Sequence, residues 1–188
     1  MKPERVRIKW APLLVALALL LVVPTVQAGP DKGYRAFAEF RANPSGCRET
    51  YALVTVTQME AHNPPGPRVP EVTVELIYHV RSTCADPGDF LFYYEFHTTG
   101  PVTIPASDFS IHSGLNQATL NTTLPVYDEE AGVAFDLGVE VLWTATGKAG
   151  PQARLADAVL EVSAPFPLQY ADSNPVSGPL AAELRKLR

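Results

Sequence analysis

The chain has 188 residues and carries 20 acidic against 15 basic residues, which gives a formal net charge of −5. An acidic surface disfavours nucleic acids and anionic lipids as partners, because both are negatively charged themselves. The length suits one domain with a sizeable hydrophobic core.

The first 28 residues have the pattern of a secretory signal peptide. An uncharged apolar run at residues 13–23 is followed by Pro24 and by a small-residue cleavage pattern that ends at Ala28. Four basic residues precede the run: Lys2, Arg5, Arg7 and Lys9. The alternative is a retained membrane anchor, but the run is well short of the ~20 residues that span a bilayer. We expect cleavage after Ala28 and a secreted or extracytoplasmic protein, with 11 basic and 19 acidic residues left and a net charge of −8.

The chain has two cysteines, Cys47 and Cys84. An even pair in an exported protein most simply forms a disulfide. A redox or metal-binding pair needs a CxxC spacing or histidines nearby, and neither is present. The sequence therefore predicts a structural disulfide, worth roughly 4 kcal/mol for a loop of about 38 residues in the chain-entropy model.

Apolar residues alternate with polar ones along most of the remaining chain, which is typical of half-buried β-strands. The pattern predicts strands at residues 34–41, 51–58, 72–80, 107–111, 115–126, 133–143 and 155–163. Residues 90–97 are apolar on both faces and predict a central strand that is covered on both sides. Pro- and Gly-rich turn signals separate the strands at residues 43–46, 63–67, 86–89 and 147–151. The predicted fold class is all-β, an antiparallel β-sandwich of about eight strands.

The sandwich domain is expected to span residues 29–171, with a C-terminal tail at residues 172–188. In this tail three leucines fall on one side of a helix that would begin at Pro179: Leu180, Leu184 and Leu187. A short terminal helix and a frayed basic tail are both consistent with the pattern.

Histidine and glutamate residues form the one constellation that suggests chemistry. Glu75 and His79 share the polar face of one predicted strand, and Glu95 and His97 share a face of another. If those strands are neighbours, the four side chains converge into a metal or acid–base site. Cross-strand polar pairing is the preferred interpretation. We therefore assign no catalytic residue or metal ligand, and we expect no cofactor.

Other carboxylates do not form a recognisable site. Asp136 and Glu140 share one strand face but lie about 13 Å apart, whereas a glycosidase needs its pair within about 5–9.5 Å. The acidic run that begins at Asp128 and ends at Glu130 lacks the spacing of a calcium loop, so it is interpreted as a charged hairpin tip.

Aromatic residues are concentrated at residues 90–96, where two interpretations compete. Exposed rings stack on sugars in carbohydrate-binding sandwiches, but buried strands are also rich in Phe and Tyr. Packing in the core is the preferred interpretation here and for Trp143. Asn121 begins a glycosylation sequon, which is meaningful only in a eukaryotic secretory pathway.

One stretch resembles a family of exported bacterial β-sandwich proteins that has no assigned function. The residues that carry the resemblance are Ser107-Asp108-Phe109-Ser110-Ile111, Leu115, Ala118, Leu120, Asn121-Thr122-Thr123, Tyr127-Asp128, Phe135-Asp136-Leu137 and Leu142-Trp143-Thr144-Ala145-Thr146-Gly147. They cover about 40 residues. The resemblance implies export and a β-sandwich, and it carries over no catalytic residue.

The sequence favours a non-enzymatic binding or interaction module outside the cytoplasmic membrane, with a glycan or a protein as its partner. The motifs of metalloproteases, serine hydrolases, P-loop proteins and dinucleotide-binding proteins are absent. Two alternatives stay open. One is a metal-dependent or hydrolytic enzyme that uses the His/Glu strand faces, and the other is a structural component of the cell surface.

Overall fold

The computed structural model describes residues 32–42, 47–61, 69–84, 92–168 and 174–187. The predicted signal peptide, the turn signals at residues 43–46, 63–67 and 86–89, and Phe90 of the aromatic run lie outside the described residues.

Strands make up about three quarters of the described chain, and the helical structure within it is one short 3₁₀ turn, Ala106–Asp108. The strands are β1 (Gly33–Ala42), β2 (Arg48–Ala61), β3 (Val69–Ser82), β4 (Phe92–His97), β5 (Val102–Ile104), β6 (Phe109–Ile111), β7 (Gln117–Asp128), β8 (Val133–Gly150), β9 (Ala153–Ser163), β10 (Val176–Ser177) and β11 (Ala181–Leu187).

The strands pair antiparallel and form two layers. The front sheet has the order β11-β1-β2-β3-β4, with β5 also paired to β3, and the back sheet has the order β6-β7-β8-β9-β10. Short pairings join the two sheets on both sides, from β4 to β7 and from β9 to β11. The all-β sandwich prediction is therefore confirmed.

The core lies between the sheets because the inward side chains of nearly every strand are apolar. In β7 buried and exposed residues alternate almost without exception, and the inward positions of β3 are Val, Leu and Tyr. Trp143 of β8 is completely buried and donates a hydrogen bond from Nε1 to the backbone carbonyl of Phe37 at 3.0 Å. The interpretation of Trp143 as a packing residue is confirmed, and its indole also links the back sheet to the front sheet.

The C-terminal segment differs from the expected helix or frayed tail. Ala181–Leu187 forms β11, whose residues pair with β1 from Ala181 opposite Glu39 to Leu187 opposite Gly33. Ala182 and Leu184 point into the core, whereas Leu180 is 62% exposed and takes no part in an apolar helical face. Pairing with β1 satisfies the backbone of this segment and completes the front sheet, which outweighs its helical pattern.

The predicted central strand at residues 90–97 is only partly covered. β4 pairs along its length with β3 but meets β7 at two residue pairs, at Phe96 and His97. Phe96 is buried, and Tyr93 and Tyr94 are half-buried against the core. These rings therefore pack, as preferred from the sequence, but the strand lies at a corner between the sheets.

Cys47 and Cys84 form the predicted disulfide, which joins the start of β2 to the end of β3. The backbone amide of Thr83 also donates to the carbonyl of Cys47 at 2.8 Å. A structural disulfide fits an extracytoplasmic protein. Within the described ranges, no helix has the length and apolar character needed to cross a membrane.

Candidate binding site

The predicted His/Glu constellation lies on neighbouring strands, but it does not assemble a metal centre. His79 of β3 lies directly opposite Glu95 of β4, and Ile77 lies opposite His97. Among the described residues, no group of three or more His, Cys, Asp or Glu side chains is placed to hold a metal ion. His97 instead approaches Glu129, with 3.6 Å between Nε2 and Oε1.

A second cluster, which the sequence did not reveal, surrounds Glu49 on the outer face of the front sheet. Glu49 is only 4% exposed although it lies on this outer face. Arg41 donates to its Oε1 through Nε, and Arg81 donates to its Oε2 through Nε at 3.2 Å and Nη2 at 2.9 Å. Burial by itself raises the pKa of Glu49, but the hydrogen bonds and charges of the two arginines outweigh burial and hold this pKa below its usual value.

Two stacked rings lie beside this ion cluster. Tyr51 of β2 and His79 of β3 are directly opposite each other, and their ring centroids are 5.0 Å apart. Tyr51 donates from its hydroxyl to Glu39 Oε1 at 3.3 Å. Its pKa is raised by burial, and then by the charge of Glu39 and the hydrogen bond to it. The pKa of His79 is lowered by burial and by repulsion from Arg81, which together exceed the attraction of Glu49, so we expect a neutral imidazole at pH 7.

These side chains line a shallow depression of about 290 Å³, which we call the arginine depression. Its residues are Glu39, Arg41, Glu49, Tyr51, His79, Arg81 and Leu180. The arginine side chains stay accessible, with 57% of Arg41 and 32% of Arg81 exposed. The depression therefore offers fixed hydrogen-bond donors, a carboxylate acceptor and partly exposed rings within one small area.

The strand register brings these groups together. Glu49 lies directly opposite Arg81 on β2 and β3, while Arg41 lies opposite Tyr51 on β1 and β2. No local motif marks such a set, because its charged and aromatic members come from three strands and lie up to 42 residues apart in the chain. The sequence signal that could have indicated this site is the set of charged residues at the outward positions of these three strands.

The remaining acidic candidates have structural explanations. Asp128 is 5% exposed and accepts hydrogen bonds at Oδ1 from the backbone amides of Glu130 at 3.0 Å and Ala131 at 3.1 Å. It therefore shapes the β7–β8 turn, which confirms the hairpin-tip interpretation. Asp136 and Glu140 are exposed on the outer face of β8.

No family model, curated protein or solved structure matches this chain. The resemblance to exported bacterial β-sandwich proteins therefore stays a prediction.

Proposed function

We propose that this protein is a non-enzymatic binding module that acts outside the cytoplasmic membrane, and that the arginine depression is its ligand site. The observation that carries the proposal is the composition of this outer face. Leu53 and Ile77 lie directly opposite each other and form an apolar pair next to the rings of Tyr51 and His79, and charged side chains border this area. An apolar and aromatic centre with a charged rim is the usual anatomy of a binding surface.

The arginines are preorganised for binding. Glu49 holds Nε of Arg41 and the Nε and Nη2 groups of Arg81, so both guanidinium groups are already oriented before a ligand arrives. A side chain fixed in this way loses little conformational entropy when it binds. Arg and Tyr are also among the residue types that are enriched in binding hot spots.

Carbohydrate is the ligand class that we would test first. Sugar hydroxyls both donate and accept hydrogen bonds, so they match a site that offers guanidinium donors beside the Glu39 carboxylate. The partly exposed, mutually stacked rings of Tyr51 and His79 supply apolar surface beside these groups. If no glycan binds, a protein is the partner class that we propose instead.

Export is the second part of the proposal. The predicted signal peptide and the Cys47–Cys84 disulfide both support an oxidising, extracytoplasmic location. Cell fractionation followed by intact mass measurement tests this directly. A chain that begins near Gly29 in an extracytoplasmic fraction is expected, and a full-length chain in the cytoplasm would contradict it.

A glycan array with titration of any ligand found tests the site. We expect Tyr51→Ala to weaken binding by about tenfold or more, as for a residue at the centre of a binding surface. Tyr127→Ala is the matched control, because Tyr127 is also a half-buried outward tyrosine but belongs to the back sheet. Equal losses in both variants would contradict the site. Turnover of a ligand that His79→Asn abolishes would instead indicate an enzyme.

A further inference from the structure

Two arginines lie next to each other on adjacent strands of the front sheet, outside the arginine depression. Arg35 of β1 and Arg185 of β11 are directly opposite in register, and both are exposed. They line a depression of about 230 Å³ together with Phe37 and Glu183. Like charges directly opposite each other destabilise a sheet, so this pair costs the isolated molecule stability.

The immediate partners of these arginines leave donors available. Arg35 lies over the ring of Phe37, with 5.8 Å from its guanidinium carbon to the ring centroid. Arg185 donates to Glu183 through Nε and Nη2. Two guanidinium groups against one carboxylate leave a net positive charge in this depression.

The back sheet carries the opposite arrangement. Glu140 of β8 and Glu161 of β9 are directly opposite in register, and both are exposed. Next to them along the same strands lie Leu142 and Val159, which also face each other and are 40% and 37% exposed. These residues line a depression of about 540 Å³, and Asn121 donates to Glu140 at 3.3 Å.

This acidic surface is not neutralised on its own face. Residues 117–144 and 155–163, which form most of the back sheet, contain no Lys or Arg. Asp136 and Asp157 are exposed on the same outer face. The basic residues of β8 and β9 are Lys148 and Arg154, which lie opposite each other at the far end of these strands, eight residues along β8 from Glu140. Within the back-sheet strands, no basic side chain therefore lies beside Glu140 and Glu161.

The arginine pair and the glutamate pair of the two depressions are opposite in charge and equal in spacing, although Phe37 lies opposite Glu183 rather than opposite a second apolar residue. Each like-charged pair spans one gap between neighbouring strands, about 4.8 Å. Each pair also lies two residues along the strand from an apolar position, which is Phe37 on the front sheet and the Leu142–Val159 pair on the back sheet. Two guanidinium groups at this separation fit two carboxylates at the same separation, and arginine–carboxylate pairs are among the strongest hydrogen-bonded ion pairs.

We propose that the occupant of each face is a second copy of this chain, bound front to back. Arg35 and Arg185 of one copy would pair with Glu140 and Glu161 of the next, while Phe37 packs on Leu142 and Val159. Because the two surfaces lie on opposite faces of one sandwich, the contact is heterologous and continues as a linear stack rather than closing as a two-fold dimer. This inference rests on the proposed function as a binding module and names one of its partners.

Sedimentation velocity of the exported protein tests the proposal, with concentration varied from about 1 µM to about 1 mM, the range of weak interfaces. The wild type is expected to form species larger than dimers as concentration rises. The association is expected to weaken between about 0.05 M and about 0.5 M salt, because exposed ion pairs are screened. A wild type that stays monomeric throughout would overturn the proposal.

Two double variants separate the faces. The front variant is Arg35→Ala with Arg185→Ala, and the back variant is Glu140→Gln with Glu161→Gln. Each is expected to raise the dissociation constant by about 100-fold, as for removed charge pairs at an interface. All four positions are exposed, so a wild-type circular dichroism spectrum and a melting temperature no lower than that of the wild type serve as the folding control.

An equimolar mixture of the two variants gives the sharpest result. The front variant keeps an intact back face, and the back variant keeps an intact front face. One molecule of each is therefore expected to form a dimer, which cannot grow further because both of its outer faces carry the substitutions. A single variant that still self-associates like the wild type would show that its changed face is not part of the contact, and would overturn the proposal. Glycan binding by the front variant reports separately on the proposed function, because this variant keeps every residue of the arginine depression.

Discussion

Replacing Glu49 with Gln tests whether the buried carboxylate holds the front sheet together. Glu49 accepts three hydrogen bonds from Arg41 and Arg81 while only 4% of it is exposed. In Glu49→Gln the charge is lost, and an amide NH₂ group faces a guanidinium donor. Hydrogen bonds to charged groups contribute about 1.5–3 kcal/mol each. The arginines are partly solvated, so we expect a net loss of about 2–3 kcal/mol rather than the full cost of a broken buried pair.

The pH dependence of this loss follows from the lowered pKa of Glu49. A carboxyl whose pKa is lower in the folded than in the unfolded chain stabilises the protein above its unfolded pKa. This stabilisation is lost as the pH falls through the folded pKa. The difference between wild type and Glu49→Gln should therefore be complete at neutral pH, and it should shrink once the pH drops below 4.5, the ordinary pKa of a glutamate side chain.

Urea denaturation at neutral and acidic pH measures both quantities, with the disulfide kept oxidised. Glu75→Gln is the matched control, because Glu75 is an exposed glutamate on the same face of the front sheet. We expect this control to change stability by about 0.5 kcal/mol or less. Equal stability of wild type and Glu49→Gln at neutral pH would refute the reasoning. So would a difference that persists unchanged at a pH where the wild-type carboxyl is protonated.

Three further predictions concern the core and the disulfide. The Tyr78 hydroxyl is buried and has no hydrogen-bond partner among the described residues, and burial, with a smaller contribution from Tyr94, raises its pKa to about 12. Tyr78→Phe should therefore leave thermal stability unchanged or raise it by about 1 kcal/mol, since an unsatisfied buried hydroxyl costs about 1–3 kcal/mol; a clear loss would reveal a partner. Trp143→Phe removes a hydrogen bond between the sheets and leaves a cavity, so calorimetry should show a loss of about 2 kcal/mol or more. Replacing both cysteines by Ser should cost up to about 4 kcal/mol in urea denaturation, and intact mass with and without reductant should show the bond in the purified protein.

The aromatic and apolar patterns of the long strands were sufficient to predict the fold class. In β7 and in residues 137–143 of β8, each side chain's burial follows from its own position in an alternating strand, because successive side chains point to opposite faces. The disulfide was also predictable, since only two cysteines are present. The fold class follows from local patterns, and the disulfide follows from the number of cysteines.

The tertiary structure decided the last strand, because its sequence satisfies two periods at once. Leu180, Leu184 and Leu187 fit a helix, while Ala182 and Leu184 fit a strand with small inward residues. A local pattern does not choose between these. Pairing with β1 on one side and with β9 on the other selects the strand, because it satisfies the backbone hydrogen bonds that an isolated segment would leave to water.

The candidate surfaces depended on tertiary structure even more strongly. Glu75, His79, Glu95 and His97 were predicted to share a face if two strands were neighbours, and β3 and β4 are neighbours. The arginine depression was not predicted, because its ion cluster needs the register of three strands. A shift of one residue in that register would have sent Glu49 to the core face. The sequence by itself therefore determined which residues are buried along most strands, while strand pairing alone decided which charged side chains meet, since those contacts join residues far apart in the chain.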